Sequence, residues 1–220
     1  MRKSIAPKGA SRVPRAGRPS TALITREAAA KAALAVIDES GLEALSLQSV
    51  AKTLGVSAPS LYHHFSNKEE LLTQIARALL VEIGREQERW SGDWNERMIE
   101  LSLATRRVML RHPNAAPLVL RFFPRQVMLQ AYENAIVDCP YPVEVRMVIN
   151  ELVEHMTYGA SLFAAAAEAH HIPVMPIVDE ERFPNLAQAI RAGEQDAETR
   201  FVEGLRTVLA GFQARFGQGG

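Results

Sequence analysis

Residues 45–65, LSLQSVAKTLGVSAPSLYHHF, predict two short helices joined by a glycine turn. Ser46 is a favourable cap for the first helix and Ser57 for the second, which has Pro59 in its first turn. Gly55 permits the sharp change of direction between them. Apolar residues on the facing sides lock the two helices together: Val50, Leu54, Val56 and Leu61. The pattern is typical of a helix-turn-helix.

The outer face of the second helix is left available to a DNA major groove. Its side chains are short or planar hydrogen-bonding groups: Ser57, Ser60, Tyr62, His63 and His64. Such groups suit contacts to phosphates and base edges. An ordinary helical hairpin whose polar residues face solvent has the same shape, so shape alone leaves both interpretations open.

The rest of the chain is predicted to be almost entirely helical. Thr25 caps a helix that ends at Gly41, and Asn67 with Glu70 resembles a capping box at the start of a helix reaching residue 84. Further helices are expected from Trp94 to the prolines after residue 112, and over 124–137, 143–169, 185–191 and 196–216. No segment alternates with period two, so the predicted fold class is all-α.

Composition places the chain among ordinary globular proteins: 47% of residues are hydrophobic and 23% are charged. No apolar run reaches the ~20 residues needed to span a bilayer, and there is no secretory signal, so we expect a cytoplasmic protein without a membrane partner. The single cysteine, Cys139, fits a reducing compartment. We find no phosphate-binding loop, nucleophile elbow or acid–base pair, so we do not expect an enzyme.

The net charge of zero conceals an uneven distribution. Residues 1–75 carry 10 basic and 6 acidic side chains, whereas residues 76–220 carry 15 basic and 19 acidic ones. The first 24 residues contain six basic residues and no acidic one. A basic arm ahead of a neutral or acidic body is typical of a nucleic-acid binder, although a solubilising tail has the same composition.

Residues 25–72 resemble the DNA-binding domain of the TetR (tetracycline repressor) family of transcriptional regulators. The matching residues stand at fixed spacing: Gly41, Leu45, Val50, Ala51, Leu54, Gly55, Val56, Ser57, Pro59, Leu61, Tyr62, His64, Phe65, Lys68, Glu69, Leu71 and Leu72. The resemblance implies that double-stranded operator DNA is contacted by ten residues: Ser46, Gln48, Ser57, Ala58, Pro59, Ser60, Tyr62, His63, His64 and Lys68.

The remainder resembles the ligand-binding and dimerisation domain of tetracycline repressors more loosely, through residues 155–159 and 201–212. The implied organisation is a flexible basic arm over 1–22, a helix-turn-helix domain over 23–83, and a ligand-binding and dimerisation domain over 84–220. A homodimer is implied, with the helices over 143–169 and 196–216 at its interface. Small residues there allow close approach and larger ones fill the space: Gly159, Ala160, Ala164, Ala167, Gly204, Ala210, Gly211, Leu152, Phe163, Val208, Leu209 and Phe212.

Methionine and aromatic side chains in the C-terminal part either line an apolar effector pocket or fill an ordinary core. The candidate ligand-binding residues are Trp94, Met98, Leu101, Thr105, Phe122, Met128, Asn150, His155, Tyr158 and Phe163. Positions that hold a drug–magnesium chelate in tetracycline repressors are apolar here, near Leu101, Leu118 and Phe163, so we expect no metal and no cofactor. Glu151 and His155 could share a metal, but such a pair is more often a hydrogen bond.

The sequence therefore predicts a DNA-binding transcriptional regulator, a repressor released from its operator by a small, largely apolar effector. The alternative is a dimeric, helical ligand-binding protein that has lost specific DNA binding. The basic arm and the intact polar face over 57–64 favour the regulator.

Overall fold

The computed structural model describes residues 24–87, 92–122, 125–173, 175–193 and 196–217. Within these ranges the chain forms ten α-helices and one 3-10 turn and has no β-strand, which confirms the all-α prediction. The basic arm predicted over 1–22 lies outside the described residues.

The helices in chain order are α1 (Arg26–Ser40), α2 (Leu47–Leu54), α3 (Ala58–Tyr62), α4 (Lys68–Gln87), α5 (Trp94–Arg111), α6 (Pro117–Arg121), α7 (Arg125–Val137), α8 (Val143–Ala169), α9 (Pro184–Ala192) and α10 (Ala197–Phe216). The 3-10 turn Leu42–Ala44 joins α1 to α2. Helix α6 was not predicted, because Pro117 suggested a break in the helical pattern. Pro117 instead occupies the first turn of α6, where a missing N–H breaks no helical hydrogen bond.

Three of the four predicted helix caps are present at the atomic level. The fourth, at Ser57, is wrong, because the Ser57 hydroxyl caps no backbone N–H and lies 2.7 Å from the Ser60 hydroxyl instead. The Thr25 hydroxyl accepts a hydrogen bond from the Ala28 backbone N–H at 3.1 Å, and Ser46 forms a reciprocal capping box with Ser49. Asn67 accepts from the Glu70 N–H at 2.9 Å. The Glu70 carboxylate reaches one residue further back than a capping box requires, because it accepts from the Ser66 N–H at 2.8 Å.

One hydrophobic cluster joins α1 to α4 and continues into α5 and α6. Its members include Ile37, Leu61 and Ile75 from the first helices and Val108 from the second half of α5. The cluster therefore crosses residue 84, so α5 and α6 pack directly on the helices that hold the helix-turn-helix. The domain boundary predicted at residues 83 and 84 stays a prediction.

A second cluster lies where α5, α8 and α10 meet. Trp94 and Tyr141 contact each other edge to face at 5.7 Å between ring centroids, and Leu205 is fully buried beside them. Gly204 on α10 allows close packing, because a Cβ there would come within 2.5 Å of the Met156 side chain on α8. The body of the molecule is thus built on α5 and α8, with α10 packed across them.

Candidate functional site

The candidate DNA-binding surface is built on α2 and α3. Gly55 between them adopts φ 67° and ψ 29°, the left-handed conformation that a side chain disfavours. Val50 and Leu61 are completely buried, one from each helix, while Leu54 and Val56 pack against the same cluster. The residues predicted to hold the hairpin together therefore do so.

The structure leaves all ten predicted DNA-contacting residues accessible. Seven are exposed: Ser46, Gln48, Ser57, Pro59, Tyr62, His63 and Lys68. Three are partly buried: Ala58, Ser60 and His64. The Tyr62 side chain is notable because it is a large ring with 56% of its surface exposed. Lys68 and His63 form no ion pair with any described residue, so their hydrogen-bonding groups are available to a partner. That they contact DNA stays a prediction.

The base of this surface is braced by one arginine. Arg26 of α1 forms an ion pair with Glu70 of α4, and its guanidinium lies over the Phe65 ring at 4.8 Å. The hydrogen bond from Arg26 lowers the pKa of the Glu70 carboxyl below its ordinary value, with a further contribution from the Ser66 N–H. These contacts hold the segment after α3 against both neighbouring helices.

A cavity of about 370 Å³ lies between α4, α5, α7 and α8. This volume is within the range that small-molecule sites occupy. Seven predicted ligand-binding residues line it: Trp94, Met98, Leu101, Thr105, Met128, Asn150 and Tyr158.

Three other predicted ligand-binding residues do not line this cavity. Phe122 packs, half-buried, against the first hydrophobic cluster, while His155 is exposed and Phe163 is 79% exposed. On α8 the lining positions 150, 153, 154, 157 and 158 follow a three- and four-residue spacing that residues 155 and 163 do not share. His155 and Phe163 therefore lie on a different face of α8.

Four ionisable residues of the cavity wall were not predicted from the sequence: Arg97, Tyr132, Asp138 and Glu154. A signal for Glu154 was present, because it lies four residues after Asn150 and four before Tyr158, on the face already assigned to the ligand. Asp138 could not be found in this way, since it follows the end of α7 and approaches the cavity only through the fold.

Most polar groups of the cavity wall already have partners. The Arg97 guanidinium and the Asp138 carboxylate are 3.0 Å apart, and the Trp94 indole N–H donates to the Ala135 carbonyl at 2.7 Å. The hydroxyls of Ser102 and Thr105 donate to backbone carbonyls one turn earlier on α5. These bonds leave a wall that is largely apolar toward its interior.

Two polar side chains of the cavity wall, Asn150 and Glu154, lie one turn apart on α8. Asn150 is 6% exposed, and no hydrogen bond joins its amide to another residue in the part of the chain that is described. The Glu154 carboxylate accepts a hydrogen bond from the Tyr132 hydroxyl at 3.0 Å. Burial raises the pKa of Tyr158 above its ordinary value, with a smaller effect from Glu154, so this phenol is neutral at physiological pH.

Helix α4 connects the two candidate sites. Its first half supplies Leu71 and Ile75 to the cluster beneath the helix-turn-helix, and its second half supplies Leu80 and Ile83, with Gly84, to the cavity wall. Helix α4 is therefore shared by the packing beneath the DNA-binding surface and by the cavity wall.

A histidine forms a second connection between the two parts. The His112 Nδ1 atom at the end of α5 is 2.7 Å from the Asp38 carboxylate on α1, and its Nε2 atom is 3.5 Å from the Glu82 carboxylate on α4. Arg111 also pairs with Glu82. The end of α5 thus contacts both helices that flank the helix-turn-helix.

Neither a metal centre nor a membrane segment is found in the described ranges. No group of three His, Cys, Asp or Glu side chains is placed to hold a metal ion, and Glu151 and His155 are both exposed. No described helix is long and apolar enough to cross a bilayer.

Comparison with known proteins agrees with this geometry. Residues 30–75 match the family model described as bacterial regulatory proteins, tetR family, and residues 88–216 match the tetracyclin repressor-like C-terminal domain. The second match alone covers more than half of the chain. The protein belongs to the TetR family of transcriptional regulators, which confirms the resemblance seen in the sequence.

Among its relatives is the tetracycline repressor protein class E of Escherichia coli, 28% identical over 191 residues that cover 83% of this chain and 88% of the relative. The solved structure of ActR from Streptomyces coelicolor in complex with actinorhodin is 25% identical, covers 90% of this chain and 99% of its own, and gives a TM-score of 0.68. A TetR variant from Acinetobacter baumannii AYE in complex with minocycline is 25% identical, covers 87% and 94%, and gives a TM-score of 0.65.

Proposed function

We propose that this TetR-family regulator is a homodimeric repressor that binds a pseudo-palindromic operator and is released by a small, largely apolar effector. One observation carries the proposal: α4 contributes both to the cluster beneath the exposed α2–α3 surface and to the wall of the cavity. The effector site and the DNA site therefore share an element that both can bias.

The exposed face of α2 and α3 supports the DNA-binding step. Tyr62 and the two histidines after it can reach base edges or phosphates, and Lys68 supplies a cation for a phosphate. A two-fold dimer would place its two recognition helices about 34–36 Å apart, in successive major grooves. The operator would then have two symmetric half-sites about one helical turn apart.

Dimerisation is supported by apolar side chains that α8 leaves uncovered. Phe163 is 79% exposed, and Val148 and Leu152, on the same side of the helix, are 51% and 46% exposed. A row of exposed large apolar residues on one long helix is typical of a protein–protein interface. Two residues predicted at the interface also pack within the chain: Leu209 is buried in its core, and Gly204 lies against Met156.

The effector step is supported by the cavity and by two structural relatives that hold ligands, actinorhodin in one and minocycline in the other. An effector releases DNA only if it binds a dimer with wrongly spaced recognition helices more tightly than the DNA-bound form. By linkage, operator DNA must then weaken effector binding by the same factor.

The operator can be found by selecting bound sequences from random DNA duplexes and comparing the motif with the region upstream of the protein's own gene. We expect a two-fold symmetric motif, bound ~10³-fold or more tightly than scrambled DNA at physiological salt. Tyr62→Ala should lose most of this preference, whereas the control His170→Ala, at an exposed residue just beyond α8, should keep it. Equal affinity of the wild-type chain for selected and scrambled DNA would contradict sequence-specific binding.

A further inference from the structure

The charges on the cavity wall do not cancel. The described lining residues include one basic side chain, Arg97, and two acidic ones, Asp138 and Glu154. Arg97 and Asp138 neutralise each other at 3.0 Å, on side chains that are 39% and 54% exposed. Glu154 has no cation within ion-pairing distance among the described residues, so one negative charge remains.

The surroundings of Glu154 show which ligand chemistry would complement it. Its described polar partner is the Tyr132 hydroxyl, and the Asn150 amide one turn earlier makes no hydrogen bond to a described residue. The rings of Trp94 and Tyr158 line the same cavity. A partly buried carboxylate near aromatic rings favours a cation, since both the charge and the ring faces attract it.

We infer that the cavity takes a lipophilic organic cation, a tertiary or quaternary ammonium on an aromatic or aliphatic skeleton, with its charged group at Glu154. This inference rests on the proposed function and narrows the class of effector. The skeleton would occupy the apolar part of the wall, formed by Leu80, Ile83, Met98, Leu101, Met128 and Val153. Asn150 would bind a polar substituent of the same molecule.

A bulky, weakly hydrated cation fits better than a compact one. Moving a charge from water into a cavity with few polar groups is unfavourable, and the loss is smallest when the charge is shielded by alkyl groups. Simple metal ions and primary ammonium ions are therefore poor candidates, and anions would meet the unpaired carboxylate.

The test uses three ligands that share one skeleton and differ in charge. They are 3,3-diphenylpropyl-trimethylammonium, the uncharged 3,3-diphenylpropan-1-ol and the anion 4,4-diphenylbutanoate, each titrated calorimetrically into the full-length protein. We expect the cation to bind about tenfold or more tightly than the alcohol, and the anion to bind weakest.

Two variants assign the effect to Glu154. Glu154→Gln keeps an acceptor for the Tyr132 hydroxyl but removes the charge, so it should lower affinity for the cation about tenfold and leave the alcohol unchanged. Glu151→Gln is the matched control, because Glu151 is exposed on the same helix and does not line the cavity. It should bind all three ligands as the wild type does.

Equal affinities of the cation and the alcohol would overturn the inference, as would binding of none of the three or a cation preference that survives in Glu154→Gln. Mobility-shift assays of the selected operator with each ligand test the proposed function separately from the inference about the cation. Release by the alcohol without any cation preference would leave the proposed function standing and remove the inference. Tight, Glu154-dependent cation binding without operator release would support the cation site and contradict the proposed release mechanism.

Discussion

Gly55 determines how α3 leaves α2, because its left-handed conformation produces the turn of the helix-turn-helix. Nothing lies within 4 Å of a Cβ built there, so an alanine would be opposed by backbone strain alone. We expect Gly55→Ala to lower the free energy of unfolding by roughly 1–2 kcal/mol, measured by urea denaturation. Gly84→Ala, in open space within α4, should raise it by about 0.5–1 kcal/mol. Equal effects of the two variants would contradict this reading of Gly55.

Lys68 begins α4 and is exposed without an ion pair among the described residues. If it neutralises one phosphate, Lys68→Ala should weaken binding to specific and scrambled DNA alike and reduce the slope of log K against log salt by about 1 per protomer. Arg191→Ala, on α9, is the control and should leave the slope unchanged. A slope that stays at the wild-type value in Lys68→Ala would remove Lys68 from the DNA-binding surface.

The structural role of a residue was predictable from the sequence where it depends only on neighbours along the chain. Caps such as Thr25 and Ser46, and the left-handed turn at Gly55, depend on neighbours within a few positions. The partner of Glu154 was not predictable, because Tyr132 comes from another helix and meets Glu154 only when α7 packs on α8. Phe163 was assigned to both the ligand and the dimer interface, and only the orientation of α8 separates the two.

At the scale of elements, the short contacts at the end of α5 couple the body to the DNA-binding helices. His112 contacts Asp38 on α1 and Glu82 on α4, and only 12% of its side-chain surface is exposed. We expect His112→Ala to keep the wild-type affinity for a cavity ligand but to reduce, severalfold, the effect of that ligand on operator affinity. Fluorescence anisotropy of labelled operator measures this.

His170→Ala provides the control for that experiment, because His170 is an exposed residue just beyond α8. Its operator release should match that of the wild type. Full coupling in His112→Ala would show that α4 alone transmits the change and that the His112 contacts are only structural.

The helices themselves were largely predictable because their apolar residues recur at helical spacing. Two elements were not predicted, α6 and the 3-10 turn Leu42–Ala44. Both are too short for periodicity to show, and α6 begins at a proline that indicates a break as readily as a start. The sequence predicted the helices that surround the cavity but not how they pack to form it, since the wall combines residues of α4, α5, α7 and α8.

At the scale of the whole molecule, the exposed apolar face of α8 predicts that the folded unit is a dimer. Phe163→Glu would place a charge in that interface, so we expect a monomer by analytical ultracentrifugation at micromolar concentration, with helix content retained and operator affinity largely lost. Leu129→Glu on α7 replaces a side chain that is 58% exposed and should leave the dimer intact. A Phe163→Glu dimer of wild-type stability would place the interface elsewhere.

The central claim is that the cavity and the DNA-binding surface are linked through α4, and reciprocal binding measurements test it most directly. A ligand found in a thermal-shift screen of hydrophobic compounds, and confirmed to occupy the cavity by loss of binding in Met98→Ala, is titrated with and without saturating operator. Operator affinity is measured with and without saturating ligand. The two factors should agree and lie between about 5- and 150-fold. A ligand that binds the cavity with the same affinity whether or not operator is bound would contradict the account.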